Sequence, residues 1–539
     1  MSNRGNFMKT MQNIPAELSF TALNHYGEKK DLLDVSVIFT APNGAKTTVM
    51  AFWAGGNVWK ARYSSEQIGI HGYITKCTDS TDDGLHGIRG ELEVEAYTGD
   101  NPLYLNGGLG KKTNSRYMTY KNGKPFFWLA DTWWMGFCDR ISFPDEFEEL
   151  VQDRAKKGFS AVHIIAGLYP DMHWYDPRGK NPAGFPWSED FSEVNPAYFD
   201  EAEKRIQMLV DYGLTPCIVG CWGYFMKIAD KEQIKRHWRY LLARFAAYPV
   251  AFCAAGEANM AFYDDPVDPA THLKNSRSNW NEVVKYISDN NPFGRLITIH
   301  PTEFGHEQID DPALLDMDML QTGHSGYPSL AFTLQMMQAA IERGQMPVIN
   351  SEACYEGICG SSYEDIQRYL FLSCMFLGAA GHSYGANGIW QLNGTDRPYG
   401  PSPNGVEWGR LSWREAAALP GSGQIGACKR YLERFAWYRL ACHPEWVDFS
   451  CDGSEVEGHF AAGYDGELLL IYKPHFGGKF FGDVTVSGLK PNRKYHFERF
   501  NPILGEIFDT AEITSDKNGQ YKCPRVPIFG DWLFAFELA

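Results

Sequence analysis

Several things are missing from this 539-residue chain. No apolar run approaches the roughly 20 residues that a membrane helix needs. The opening Met-Ser-Asn-Arg-Gly-Asn-Phe-Met-Lys-Thr leads into a polar stretch, with no apolar core of a secretory leader before Pro15. There is no C-x-x-C pair and no close His/Cys cluster, so no metal site is expected and no cofactor is implied. The glycine-rich "LNGGLGKKTN" at 105–114 fails as a phosphate loop. The first glycine of that spacing falls on Leu105, and no Ser or Thr directly follows Lys111. Positive charge is also short: 66 acidic residues against 50 basic ones leave a net charge of −16. That sign argues against nucleic acid and anionic membrane as partners. The expectation is a cytoplasmic protein acting on a neutral small molecule held by hydrogen bonds and stacking, with self-association left open.

What is present is material for a core. Apolar residues make up 44% of the chain and aromatic residues 14%, which excludes a disordered protein. The 12 cysteines are scattered. Cys217, Cys221, Cys253 and Cys374 lie inside apolar stretches and read as reduced core thiols rather than a disulfide framework. The length calls for two or three domains, and three textures divide the chain. Residues 1–110 alternate short apolar runs with turn signals. Val35, Val37 and Phe39 recur at period two before a Pro42-Asn43-Gly44 turn, which predicts a β-sandwich. Residues 111–446 repeat strand, loop and helix. Residues 447–539 return to strands and turns ("ELLLIYKP", "DWLFAFEL"), a second β-sandwich.

The middle segment carries eight candidate strands, most of them continuous apolar runs as buried parallel strands are: "PFFWLADTWW", "SAVHIIAGLY", "LTPCIVGCW", "VAFCAAGEAN", "RLITIHP", "DMLQTGHS", "MPVINSEACYE" and "HSYGANGIWQL". Helical patterns alternate with them. In residues 195–213, Phe199, Ala202, Ile206, Leu209 and Val210 share one face between Pro196 and Gly213. Eight such units predict a multidomain α/β chain with a central (β/α)8 TIM barrel. The loop after the second strand, residues 170–194, is long and rich in Pro, Gly and aromatics, as a pocket-shaping loop would be.

Barrel chemistry sits at the C-terminal ends of strands, so polar residues ending an apolar run are the candidates. Glu257 at the fourth strand and Glu352 at the seventh form a pair suited to hydrolysing a glycosidic bond, one as proton donor and one as nucleophile or base. The apolar approach to Glu257 would keep it protonated, and donors around Glu352 would keep it ionised. Further candidates for substrate contact are Asp131, Trp134, His163, Asn259, His300, His324, Tyr355 and Trp390. Each has a plainer alternative: Asp131 as a helix cap or brace, the histidines as buried structural groups, the tryptophans as core. Cys354 has no evident base and is not expected to act as a nucleophile.

The strings "KPFFWLADTWW", "AGEANM", "PVINSEACYEGI" and "GAAGHSYGANGIWQ", with "RFNPILGEI" near the end, resemble the apiosidase-like glycoside hydrolases, a barrel family formerly grouped as a domain of unknown function. The resemblance covers nearly the whole chain, including the sandwiches before and after the barrel. It implies Glu257 as general acid/base, Glu352 as nucleophile of a retaining mechanism, and Asp131 as a sugar contact. Two departures stand out. Gly256 occupies the place where many related retaining barrels carry Asn, and Glu257 stands where the apiosidase branch carries aspartate, which weighs against apiose as the sugar. The expected function is an exo-acting, retaining glycosidase on a small glycan or glycoside, releasing a furanose or branch sugar. The rival expectations are a carbohydrate-binding barrel without turnover, and a sugar isomerase or lyase. The last would need a metal or a Lys/His base, and no Lys ends a candidate strand.

Overall fold

The computed structural model describes residues 8–27, 33–110, 115–263, 269–344, 346–449, 460–464, 466–475 and 484–539. The first seven residues and the Lys111–Asn114 end of the glycine-rich stretch lie outside them. Eight parallel strands form the centre: Trp128–Thr132, Ala161–Ile165, Thr215–Val219, Ala251–Cys253, Ile297–Thr298, Asp318–Gln321, Val348–Glu352 and Gly381–Tyr384. The first seven fall within their apolar runs, and the eighth starts one residue before its own. Nearly every residue in them is buried, because the barrel interior covers one face and the helices the other.

The strands pair in sequence, and the first pairs with the eighth as well as the second. Between the fifth and sixth strands the ladder gives way to other hydrogen bonds. Thr298 Oγ1 donates to the Met317 carbonyl at 2.8 Å, the Asp316 N–H to the Ile297 carbonyl at 2.8 Å, and the Ile297 N–H to the Asp316 carboxylate at 2.9 Å. These bonds close the ring. The helix Pro196–Asp211 buries the face read from its periodicity, with Pro196 in its first turn. Helices Pro328–Arg343 and Glu364–Leu377 end on Gly344 and Gly378, both in the left-handed region that favours glycine.

Further sheets lie outside the barrel. Before it, a five-stranded sheet contains the hairpin Val35–Thr40 and Lys46–Met50, and a three-stranded sheet pairs Ala16–Thr21 with Val58–Tyr63. Val35, Val37 and Phe39 are buried, as their period-two spacing requires. This region is fastened to the helix Lys231–Phe245 and the turn after it: Arg62 donates to the Arg244 carbonyl and Ser64 to the Ala247 carbonyl, both at 2.7 Å. After the barrel come a six-stranded and a three-stranded sheet. They are tied to the barrel by the buried pair Arg368–Asp531 at 2.7 Å. Among the described residues no helix is long and apolar enough to cross a membrane.

Candidate active site

A cavity of about 280 Å³ opens at the C-terminal ends of the barrel strands. Its wall comes from the segments that follow every strand but the fifth: Trp134, Asp171, Trp222, Glu257, Gln321 with His324, Glu352 with Tyr355, and Trp390 with Trp408. Its size is at the small end of ligand pockets, which run on the order of 300–1,000 Å³. Four indoles and three carboxyl groups make a surface on which an apolar sugar face can stack while its hydroxyls find acceptors.

Glu352 is the last residue of the seventh strand, inside a run with no exposed position. Its Oε1 accepts from His324 Nε2 at 2.8 Å. Its Oε2 is turned inward, 3.1 Å from His300 Nε2 but without hydrogen-bond alignment. Burial pushes this carboxyl up, yet the two imidazoles facing its oxygens outweigh that and hold it well below the ordinary carboxylate range. Glu352 is thus kept as a carboxylate.

Glu257 lies four residues beyond the regular part of the fourth strand. Its backbone sits at φ +40°, a left-handed conformation that costs a non-glycine residue on the order of 1–3 kcal/mol. The chain before it is held in place by bonds from Gly256 N–H to the Cys221 carbonyl at 2.9 Å and from Gly223 N–H to the Gly256 carbonyl at 2.7 Å. The Trp222 ring fills the space above Gly256 so closely that a Cβ there would meet it at 2.2 Å. No side chain fits at 256, which explains the missing Asn. The same indole donates from Nε1 to Glu257 Oε2 at 3.2 Å. Burial and then the nearby Glu352 charge raise the Glu257 carboxyl to about 7, against smaller lowering by the Gln321 bond. Two carboxyls in one cavity are therefore driven apart in acidity, the pattern of an acid and a base in one site.

Gln321 joins them. It ends the sixth strand just after a register irregularity that sets it opposite Glu352. Its Nε2 donates to Glu257 Oε1 at 2.9 Å and reaches Glu352 Oε1 at 3.5 Å. Laid end to end, these distances cap the separation of the two oxygens at about 6.4 Å. The amide orientation follows from charge, since the reverse would turn its oxygen toward both carboxylates.

The other expected site residues divide. Trp134, His324, Tyr355 and Trp390 line the cavity. Trp134 donates from Nε1 to the Tyr355 hydroxyl at 3.0 Å. Burial, then the Glu352 charge, push that phenol well above its ordinary value. Trp390 lies in the turns beyond the eighth strand rather than on it. His300 is fully buried beneath the cavity, with the Trp134 ring edge-on at 5.4 Å, and it reaches Glu352 rather than the open space.

Three expectations need correction. The Asp131 carboxylate faces outward, not into the mouth, and accepts from Arg154 at 2.6 Å, Trp133 at 2.7 Å and the Thr132 N–H at 2.9 Å. It is wholly buried and braces the first strand against the helix Asp145–Lys157. His163 is an interior layer residue bonded to Ser383 at 2.9 Å; burial takes its imidazole down to about 3. Asn259 turns away from the cavity, to Gln308. Gln321, Asp171, Tyr263 and Trp408 line the cavity without having been singled out. Only Gln321 had a readable signal, as the polar residue directly after "DML". Among the described residues no cluster of three or more His, Cys, Asp or Glu is arranged to hold a metal ion.

A closed ring of eight parallel strands with two carboxyls at its C-terminal mouth defines the chain as a TIM-barrel protein of glycosidase type. The profile of the apiosidase-like catalytic domain matches residues 112–439, and a domain of unknown function matches residues 12–78. The chain belongs to the apiosidase-like family and is a glycoside hydrolase. Its architecture is similar over its whole length to a candidate glycoside hydrolase from Bacteroides vulgatus. That match has a TM-score of 0.70 at 15% identity, covering 99% of this chain and 100% of the other. It is also similar to a family 5 glycoside hydrolase from the same organism, with TM-score 0.64 at 19% identity, covering 80% and 93%. At such identities these likenesses speak for the fold. No curated protein matches the sequence.

Proposed function

We propose that the chain is an exo-acting, retaining glycosidase in which Glu257 is the general acid/base and Glu352 the nucleophile. The observation that carries this reading is the Gln321 bridge. It keeps the facing oxygens within about 6.4 Å of each other, which admits the roughly 5–5.5 Å of a retaining pair. The split in acidity supports the roles. Glu257, raised to about 7, holds a proton to give to the leaving oxygen. Glu352, held ionised, attacks the anomeric carbon to form a glycosyl–enzyme ester. Glu257, now a carboxylate, takes a proton from the water that hydrolyses that ester. Trp134, Trp222 and Trp390 offer rings for stacking, and Tyr355 and His324 position Glu352.

Exo action is supported by the cavity's volume of about 280 Å³ and by the long loop after the second strand that walls it. The substrate is then a small glycan or glycoside whose terminal sugar, a furanose or branch sugar, enters the cavity. In the same reading residues 1–110 and 447–539 are β-sandwiches flanking the catalytic unit 111–446. The test is the anomer released by wild type, followed by NMR within seconds of mixing, with Glu257→Ala and Glu352→Ala beside it. Retention, with both variants inactive and Glu257→Ala rescued by azide as a glycosyl azide, is expected. An inverted first product would sink the retaining assignment, and turnover surviving in both variants would sink the site.

A further inference from the structure

The cavity holds a third carboxylate that the hydrolytic steps above leave unused. Asp171 lies on the long loop after the second strand. Its Oδ1 accepts from the Tyr263 hydroxyl and its Oδ2 from Trp408 Nε1 at 3.2 Å. Its backbone N–H donates to the Tyr263 hydroxyl at 3.1 Å, and its φ is +55°, so a strained conformation is pinned by segments that follow the fourth and eighth strands. Each carboxylate oxygen offers two acceptor positions. Tyr263 and Trp408 use one apiece, which leaves one on each oxygen of a group that lines the cavity.

The charge of the wall is one-sided. Glu257, Glu352 and Asp171 line it with a single imidazole, His324, and among the described residues no Lys or Arg does. Arg178, whose charge reaches Asp171, does not line the cavity and is bonded to Asp176 at 2.7 Å and to the Tyr399 and Pro401 carbonyls. A ligand carboxylate or phosphate here would meet like charges in a poorly solvated space, with no cation to pair with. Sugar hydroxyls, by contrast, are donors that suit free carboxylate lone pairs, and two neighbouring hydroxyls match two adjacent oxygens.

We propose that Asp171 is a specificity-determining residue whose carboxylate accepts hydrogen bonds from hydroxyls of an uncharged sugar in this cavity, and that the Asp171 and Glu352 carboxylates together exclude sugars bearing an acid group. The proposal rests on the exo-glycosidase reading, because it places the terminal sugar in the cavity. It adds the class of sugar: uncharged, not a uronic acid or sugar phosphate.

The test uses the full-length enzyme and a panel of 4-nitrophenyl glycosides, neutral pyranosides and furanosides of both anomers beside glucuronides and galacturonides. Wild type is expected to hydrolyse neutral members and no uronide. Asp171→Asn keeps the size of the side chain and is expected to lose about 10- to 100-fold in kcat/KM on the best neutral substrate, most of it in KM. Tyr263→Phe removes the brace but leaves the carboxylate, and is expected to lose at least threefold less than Asp171→Asn. Equal losses in the two would mean that Asp171 only braces the loops, and would overturn the proposal. So would an Asp171→Asn KM within threefold of wild type, a uronide hydrolysed within tenfold of the best neutral sugar, or a panel from which no uncharged sugar is released. Glu257→Ala and Glu352→Ala run beside them. If those two are inactive while Asp171→Asn is unchanged, the hydrolase reading stands and this one falls. If they retain turnover, the underlying site assignment fails.

Discussion

Replacing Gln321 with Leu tests the electrostatics of the carboxyl pair most directly. Leu fills similar space but removes the N–H that donates to Glu257 Oε1 at 2.9 Å and reaches Glu352 Oε1 at 3.5 Å. A hydrogen bond to a charged group contributes about 1.5–3 kcal/mol, and about 1.4 kcal/mol corresponds to one pKa unit. The short bond to Glu257 is the one that matters. Its loss favours the neutral acid, so the Glu257 carboxyl, now raised to about 7, should climb by about 1–2 units. The assay is kcat/KM from pH 4 to 10 on an alkyl glycoside, whose poor leaving group needs the proton. Activity requires Glu257 protonated, so in wild type the alkaline limb falls near its value, and in the variant the limb moves upward even as the maximum drops. The apparent values belong to the coupled pair, and the comparison between proteins carries the test. An alkaline limb that stays in place or moves down refutes the assignment of Glu257 as the acid held by Gln321.

Three further outcomes follow from the same geometry. His324→Ala removes the aligned 2.8 Å donor to Glu352; the Glu352 carboxyl then rises, and an acid limb should move upward in the pH–kcat/KM profile, whereas an unchanged limb would mean that His300 alone holds the charge. Asp131→Ala takes one of two carboxylate partners from the buried Arg154 guanidinium, leaving it Asp153, and should cost about 1.5–3 kcal/mol in urea unfolding, with KM within about threefold of wild type; a selective KM effect would restore Asp131 as a sugar contact. Glu356, fully buried beside the Tyr384 hydroxyl and the Gly421 N–H, has its carboxyl raised to about 7, chiefly by burial. The folded state therefore keeps a proton that the unfolded chain releases, and stability present below about pH 4.5 is lost as pH rises through 7, up to about 3 kcal/mol. Glu356→Gln should remove this contribution and leave the separate one from Glu257, and an unchanged slope between pH 5 and 8 would contradict the burial effect.

The barrel could be read from the chain because parallel strands covered on both faces must be apolar throughout, and that constraint writes itself as eight runs separated by amphipathic helices. The site was readable only as far as strand ends are. Glu352 sits on the last residue of its strand, where the rule applies directly. Asp131 also lies near a strand end, but alternation along the strand sends its side chain outward to Arg154, and no pattern in one sequence distinguishes that face from the mouth. His163 points inward yet sits one layer too deep, beneath Trp134. Gln321 is hidden in the sequence because "DMLQTGHS" reads as one run, whereas the strand stops at Gln321 and the register shift before it decides where its amide points. Asp171 gives no signal at all: its partners Tyr263 and Trp408 are 92 and 237 positions away, and only closure of the barrel brings the three loops together. Gly256 is the instructive case. Read along the chain, it is an acid/base glutamate lacking its usual neighbour. In space, the Trp222 ring occupies the volume a side chain at 256 would need and donates to Glu257 itself. An aromatic ring from the third strand's loop therefore stands where an amide was expected, and the surroundings of the proposed acid are set by what packs across it rather than by what precedes it.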